Sequence, residues 1–337
     1  MLVWTQSVDP HADLVIRELQ VQGARVDRIN GDALPGSVTA SVEFPGSRLR
    51  VAGRELCSFV EQYNSVWYRR RIDPTFSSLI DPAAQPFALQ EARAWLDGIL
   101  LLSRDAFWVN DFTSAHLARN KPYQLSVAER CGLTIPPTLI SNDYGEVIAF
   151  AERHRKVIYK PVHHGVVPVE GEPDSLVFST LLSVEHLLDV RAEIELVPGI
   201  YQAYVPKNLE LRVTIVGDEI FACAIHSQEH ERTAIDWRHY HADLRHSVFH
   251  LPQHETNQLR VLMQMLGLQF GTIDMILTPS GEYVFLEVNQ MGQWLWVQQL
   301  TGMPIAKSLA TPLNASKEGG TTDERRTQTA GVSVQDS

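Results

Sequence analysis

The chain has few cysteines, no surplus of positive charge and no long apolar run, and each shortage excludes a class of protein. Three cysteines occur in 337 residues, Cys57, Cys131 and Cys223, with no C-x-x-C spacing among them. Neither a disulfide framework nor a zinc site is supported, and buried reduced thiols are expected. Lysine plus arginine (29) fall short of aspartate plus glutamate (40), for a formal charge of −11. Without a basic field the chain is not built to grip a polyanion, so nucleic acid is not an expected partner. No apolar stretch reaches membrane-spanning length, and the chain opens on strand-like Met1-Leu2-Val3-Trp4 rather than on a basic segment followed by an apolar one. The expectation is a cytoplasmic protein with no membrane partner. The first turn also lacks G-x-G-x-x-G, which leaves a dinucleotide site there without support.

What is present reads as an α/β chain of two or three subdomains, since apolar residues at 44% supply ample core for this length. A short apolar run, a helical period from Asp13 to Gln22 and a second strand at Arg25 to Ile29 make a βαβ opening. Alternation in Val38–Phe44 and Leu49–Val51 about Pro45-Gly46-Ser47 predicts a hairpin over 38–56. Val66-Trp67-Tyr68 reads as a buried strand, followed by a helix over about Pro86–Leu102. After Asn120-Lys121-Pro122 a helix should run to Cys131 and stop at Gly132, with Ile135–Ile140 as an extended exit into a new domain. From Asn314 the chain is Ser, Thr, Gly and charge, and a disordered tail over 314–337 is expected.

The densest chemistry lies in the last third. Gly271–Ile276 and Tyr283–Asn289 flank a Pro279-Ser280-Gly281 turn, which predicts two paired strands. Asp274 can then meet Glu287 and Asn289, which share a face because they are two apart. An Asp, a Glu and an Asn among apolar neighbours offer hard oxygen ligands for a nucleotide-bound magnesium ion, and exposure to solvent is the alternative reading. Lys160 ends an apolar strand, where a point charge can reach a phosphate from a rigid base, and Lys121 opens a helix. Pro206, between Gln202–Val205 and Glu210–Gly217, interrupts a ladder and frees backbone groups that an adenine edge could use. Arg69-Arg70-Arg71 could serve an acidic peptide or a phosphate, or be a solvated strand end, and is given no catalytic role. Seven histidines lie between His226 and His254. A surface or peptide-facing role is preferred over a metal set there.

In order and spacing from Lys121 to Asn289, these residues resemble the ATP-grasp superfamily. That resemblance implies an ATP-grasp fold: an N-terminal pre-ATP-grasp βαβ domain (1–115), a central small α/β subdomain (116–200) and a C-terminal mixed β/α subdomain (201–313). It implies ATP and Mg²⁺ as cofactors. Lys121 and Lys160 match the lysines on the phosphates and adenine, and Gln202, Tyr204 and Val205 the adenine hinge. Lys207 and Glu210 match positions near the ribose, Arg212 the arginine on the transferred phosphoryl group, and Asp274, Glu287 and Asn289 the magnesium ligands. A narrower resemblance rests on Val66-Trp67-Tyr68-Arg69-Arg70, Trp108-Val109-Asn110, Lys121–Leu125 and the ending Glu287-Val288-Asn289 to Gly292-Gln293-Trp294. These look like the microviridin-type ribosomal-peptide maturases, the graspetide macrocyclases.

In that family Asp236-Trp237-Arg238 resembles a D-x-R element, which implies a role for Asp236 and Arg238 in placing the acceptor nucleophile or the acyl-phosphate. Asp236 either takes the nucleophile's proton or only orients Arg238. The substrate implied is a precursor peptide, leader plus core, with a helix near Ser183–Val190 for the leader and a homodimer as the assembly. The phosphate-covering segment after Lys160, His163–Gly171, is only moderately glycine-rich for that task. Two other readings remain open: a ligase joining two separate molecules, and a nucleotide-dependent peptide-binding protein without catalysis.

Overall fold

A computed structural model describes residues 1–35, 38–45, 48–51, 54–57, 63–70, 73, 76, 80–163, 165–167, 175–239 and 244–315. The chain opens with β1 (Leu2–Thr5), α1 (Pro10–Val21) and β2 (Asp27–Asn30), the expected βαβ unit with β1 and β2 parallel. α1 starts where it does because Asp9 accepts from the His11 and Ala12 amides and Pro10 presets the first turn. A three-stranded antiparallel sheet follows, β3 (Ala40–Glu43), β4 (Arg48–Val51) and β5 (Arg54–Cys57), so the predicted hairpin gains one strand. Then come β6 (Ser65–Tyr68), α2 (Gln85–Leu101) and β7 (Phe107–Val109), completing a parallel sheet in the order β2-β1-β6-β7. Alternation sorts its side chains: Val3, Trp67 and Val109 join α1, while Leu2, Trp4, Val66 and Trp108 pack on Leu96, Ile99 and Leu100 of α2.

Two helices lead out of this unit, α3 (Phe112–Ala118) and α4 (Lys121–Arg130), the latter capped by Asn120 and ended at Gly132, whose φ is +75°. The middle unit comprises β8 (Thr138–Ser141), α5 (Tyr144–His154), β9 (Val157–Pro161), β10 (Val166–Val167), β11 (Ser175–Leu176), β12 (Thr180–Leu182), α6 (Val184–Asp189), α7 (Arg191–Leu196) and β13 (Gly199–Ala203). Its main sheet runs β12-β9-β13-β8, all antiparallel, with Val147, Phe150, Leu187 and Ile194 from the three helices covering one face. The boundary expected at 200 therefore cuts a strand; β13 stays paired to β8 and β9 as far as Ala203.

The last unit holds β14 (Leu209–Val216), β15 (Glu219–Ile225), β16 (His246–Phe249), α8 (Gln253–Met265), β17 (Phe270–Leu277), β18 (Tyr283–Asn289), α9 (Leu295–Thr301) and α10 (Ile305–Ala315). Its sheet is antiparallel in the order β16-β15-β14-β17-β18. Leu211, Val213, Ile215, Ile273, Met275, Phe285 and Val288 face a core shared with α4 and α8. α10 packs along α1 and carries Leu309, Ala310 and Leu313 into the N-terminal core. It also corrects the expected tail, because Asn314 and Ala315 belong to its last turn, where Asn314 meets Gln22. Residues 316–337 of that tail lie outside the described residues, as do residues 164 and 168–171 of the segment after Lys160.

Cys223 is buried and Cys131 half-buried, both unbridged, and burial pushes the Cys223 thiol up to about 11. The Cys57 side chain lies outside the described residues. Among the described residues no helix is long and apolar enough to cross a membrane.

Candidate active site

The central and C-terminal sheets enclose a cleft of about 1270 Å³, and its walls include Lys121, Lys160, Gln202, Tyr204, Val205, Lys207, Glu210, Arg212, Asp236, Arg238, Asp274, Glu287 and Asn289. All thirteen residues singled out in the sequence thus meet in one place. The register of three strands explains how. Arg212 on β14 lies opposite Asp274 on β17, and Asp274 lies opposite Glu287 on β18. A bulge between Asp274 and Met275 pairs Met275 with Phe285 and leaves Leu286 as the extra residue. Strict alternation would put Glu287 and Asn289 on the same face as Phe285, which is fully buried in the core. The extra residue turns both onto the cleft face.

The charges then interlock. Arg212 Nη1 donates to both oxygens of Asp274, at 2.7 and 2.8 Å, and its Nη2 donates to the Gln293 carbonyl at 3.1 Å. Lys121 Nζ, at the first residue of α4, donates to the Pro161 carbonyl at 3.0 Å and lies 3.6 Å from Glu287 Oε2. Asn289 Nδ2 donates to Glu287 Oε1 at 3.3 Å. Burial alone would raise the Glu287 pKa, yet Lys121, Lys160 and Arg238 together hold it below the usual carboxylate range. Lys160 reaches up from β9 and donates to Gln202 Oε1 at 2.7 Å, while burial lowers its own pKa. Gln202 in turn donates to Thr138 Oγ1 at 3.0 Å.

Beyond β13 the backbone leaves the ladder. The Tyr204 amide donates to the Lys156 carbonyl at 2.9 Å, and the amide of Val205, a residue that lines the cleft, has no hydrogen-bond acceptor among the described residues. Lys207 Nζ is held by Glu210 Oε1 and the Ile235 carbonyl, both at 2.8 Å. Burial raises the Glu210 pKa, and Lys207 opposes that.

Asp236 accepts from the Arg238 amide (3.1 Å), Nε (2.9 Å) and Nη2 (2.7 Å), and from the Ser179 amide (3.3 Å). Burial would raise its pKa, but the Arg238 contacts outweigh it and bring the value down to about 2. Each Asp236 oxygen already accepts two hydrogen bonds, so of its two possible roles the geometry favours orienting Arg238. Among the histidines, His226 engages Arg245 at 2.8 Å and His246 sits edge-on to Trp296, with ring centres 5.3 Å apart.

The model of the MvdD pre-ATP-grasp domain matches residues 1–116. The structure superposes on macrocyclase MdnC from Microcystis aeruginosa MRC, solved with precursor peptide MdnA, at 30% identity and a TM-score of 0.83, over 94% of this chain and 99% of that one. The chain belongs to the ATP-grasp macrocyclases of ribosomal peptides. Macrocyclase MdnB from the same organism is also 30% identical, with a TM-score of 0.77 over 93% and 98% of the two chains. A RiPP-associated ATP-grasp ligase of Chryseobacterium gregarium, solved with ADP and a leader and core peptide, is 27% identical, with a TM-score of 0.82 over 93% and 95%. No curated protein sequence matches this chain.

Two residues that organise this macrocyclase site carried no role in the sequence reading. Gln124 on α4 is buried and donates to the Val288 and Ala118 carbonyls, at 2.9 and 2.5 Å, while its Oε1 accepts from the Val288 amide at 2.9 Å. Val288 lies between Glu287 and Asn289, so Gln124 clamps the strand that presents both. The sequence signal was a glutamine on the buried side of a helix, beside Leu125, Val127 and Ala128. Gly292 is the second: a Cβ there would collide with the Thr272 side chain on β17. Replacing Gln124 with Leu should cost about 3 kcal/mol, because three buried backbone groups lose their partner. Urea denaturation measures this, and a loss below about 1 kcal/mol would show that the clamp is dispensable.

Proposed function

We propose that this chain spends ATP to crosslink the side chains of a ribosomally made precursor peptide, closing rings through esters or amides. The observation that carries the reading is the meeting of Lys121, Lys160, Arg212, Asp274, Glu287 and Asn289 on the walls of one cleft. Lys121 and Lys160 hold the phosphates of ATP, Gln202, Tyr204 and Val205 the adenine edge, and Lys207 with Glu210 the ribose. A backbone amide without a partner at Val205 suits the adenine rim.

The donor set suits magnesium, which prefers hard oxygens. Asp274 gives Arg212 only part of its lone-pair capacity, and Asn289 Oδ1 has no hydrogen bond among the described residues. Asp274, Glu287 and Asn289 would hold the ion, which supplies positive charge beside the transferring phosphoryl group when bound. A side-chain carboxylate of the peptide attacks the γ-phosphorus, the bond to the β-phosphate oxygen breaks, and ADP leaves. Arg212 faces the charge spread over the phosphoryl oxygens in that step. A Ser or Thr hydroxyl, or a Lys amine, then attacks the acyl carbon, and phosphate leaves with loss of the nucleophile's proton. Arg238, steadied by Asp236, positions the acyl-phosphate for this attack, and ring closure gains from proximity.

On this reading the leader docks by α6, and the working assembly is a cytoplasmic homodimer. The decisive measurement incubates the full chain with ATP, Mg²⁺ and the peptide encoded beside the gene. Mass spectrometry should show loss of one water mass per ring. A gain in mass would point instead to joining a second molecule, and peptide binding without any mass change would end the ligase reading.

A further inference from the structure

The Arg69-Arg70 pair, left without a task by the mechanism above, follows β6 at the edge of the cleft. Both backbone amides donate to the Trp4 carbonyl, at 2.9 and 3.3 Å, which fixes the two residues to the carboxyl end of the parallel sheet. Arg69 is 1% exposed. Its Nη1 donates to the Met291 carbonyl at 2.7 Å and its Nε lies 3.6 Å from Asp9 Oδ2, whereas Nε and Nη2 make no hydrogen bond. Asp9 is already engaged by the Thr5 hydroxyl and the first amides of α1. His11 beside them adds no charge: burial and the two arginines press its pKa down to about 3, and its ring stands edge-on to Trp294.

Among the described residues Asp9 pairs with Arg69 alone, and Arg70 adds a second positive charge beside it. Arg70 is half-buried and lines the cleft, and among the described residues its buried Nε has no acceptor and no acidic side chain lies within ion-pair distance. A partly desolvated cation without a counter-ion is costly, and its cost is relieved by an anion arriving in the cleft. The carbonyl that Arg69 grips, Met291, belongs to the turn just after Asn289. The arginine pair and the magnesium-binding strand are therefore mechanically joined.

We propose that Arg70 is a carboxylate-binding subsite for the peptide substrate, with the Arg69–Asp9 pair positioning it behind. It receives an acidic side chain of the core peptide through a charge-assisted, two-pronged contact and holds it on the N-terminal wall of the cleft. This rests on the peptide-crosslinking reading for its ligand, but its test does not need turnover.

The test is a double-mutant cycle of binding affinities, with ADP and Mg²⁺ present. The full chain and its Arg70→Met and Arg70→Lys variants are titrated with the fluorescently labelled peptide encoded beside the gene, and with the same peptide bearing Asn and Gln for its core Asp and Glu. The wild type should lose about tenfold in affinity when the acids are removed, since a charged hydrogen-bonded contact is at stake. Arg70→Met should bind both peptides alike, and Arg70→Lys should keep part of the preference. Equal discrimination by wild type and Arg70→Met overturns the proposal, as does a change confined to ADP affinity, which would assign Arg70 to phosphate. Should Arg70→Met fail to fold, an Arg70→Lys variant that discriminates fully as well as the wild type also counts against it, because a lysine cannot reproduce the fork. Failure of the crosslinking reading would appear separately, as unchanged peptide mass with the coupling intact.

Discussion

Replacing Glu287 with Gln should lower the rate of ring formation by about a thousandfold while leaving peptide affinity within a factor of about three of wild type. The substitution keeps the shape and can keep the contact with Asn289, but it removes the charge facing Lys121, Lys160 and Arg238. Those three cations then face one another without their shared counter-ion. Nucleotide without metal should bind as well as before or better, because its phosphates can supply the missing negative charge. The dependence of binding on Mg²⁺ should weaken instead. Mass spectrometry of the product and calorimetric titration of peptide and nucleotide separate these effects. A variant that still cyclises within tenfold of the wild-type rate would remove Glu287 from the chemistry.

The second large effect belongs to Asn110, which does not line the cleft but hydrogen-bonds a residue that does, Gln290. Its Nδ2 donates to the Phe270 and Gln290 carbonyls, at 2.8 and 2.9 Å, and its Oδ1 accepts from the Gln269 and Phe270 amides, at 2.8 and 2.7 Å. The end of β7 is thereby stitched to the start of β17 and to the residue just after β18. Asn110→Ala should cost about 4 kcal/mol, since four backbone groups lose their partner in a site 2% exposed. Asn110→Asp should cost about as much, because a carboxylate can still accept from both amides but cannot donate to either carbonyl. Denaturant midpoints for the two variants test this. If Asp restores stability, donation to the carbonyls contributes little and the clamp rests on the two amides alone.

The N-terminal βαβ unit was legible because its cues are local, a helical period from Asp13 to Gln22 and apolar strands on either side, although the helix starts earlier, at Pro10 behind the Asp9 cap. The convergence of Asp274, Glu287 and Asn289 was legible because two strands joined by a glycine turn must pair with each other. What sequence reasoning missed depends on partners far along the chain. Gln124 and Asn110 satisfy backbone groups more than 150 residues away, and nothing in their neighbourhood names those partners. The end of the central sheet at Ala203 was hidden for the same reason, since β13 gains its partners from β8 and β9 rather than from adjacent sequence. Arg212 and Asp274 form a pair only through the β14–β17 register, which alternation alone leaves undetermined by two residues either way.

The extra residue at Leu286 acts as a parity switch in the reading frame of the sheet. Two-residue alternation sorts core from cleft along β18, and a single inserted residue inverts the sorting for everything downstream. Deleting Leu286 would therefore leave a plain ladder, with Phe285 still opposite Met275, Glu287 still opposite Asp274 and the same faces buried. The damaging change is to lose the bulge while keeping Leu286, for regular pairing would then drive a carboxylate and an amide into an apolar core and swing Val288 into the cleft.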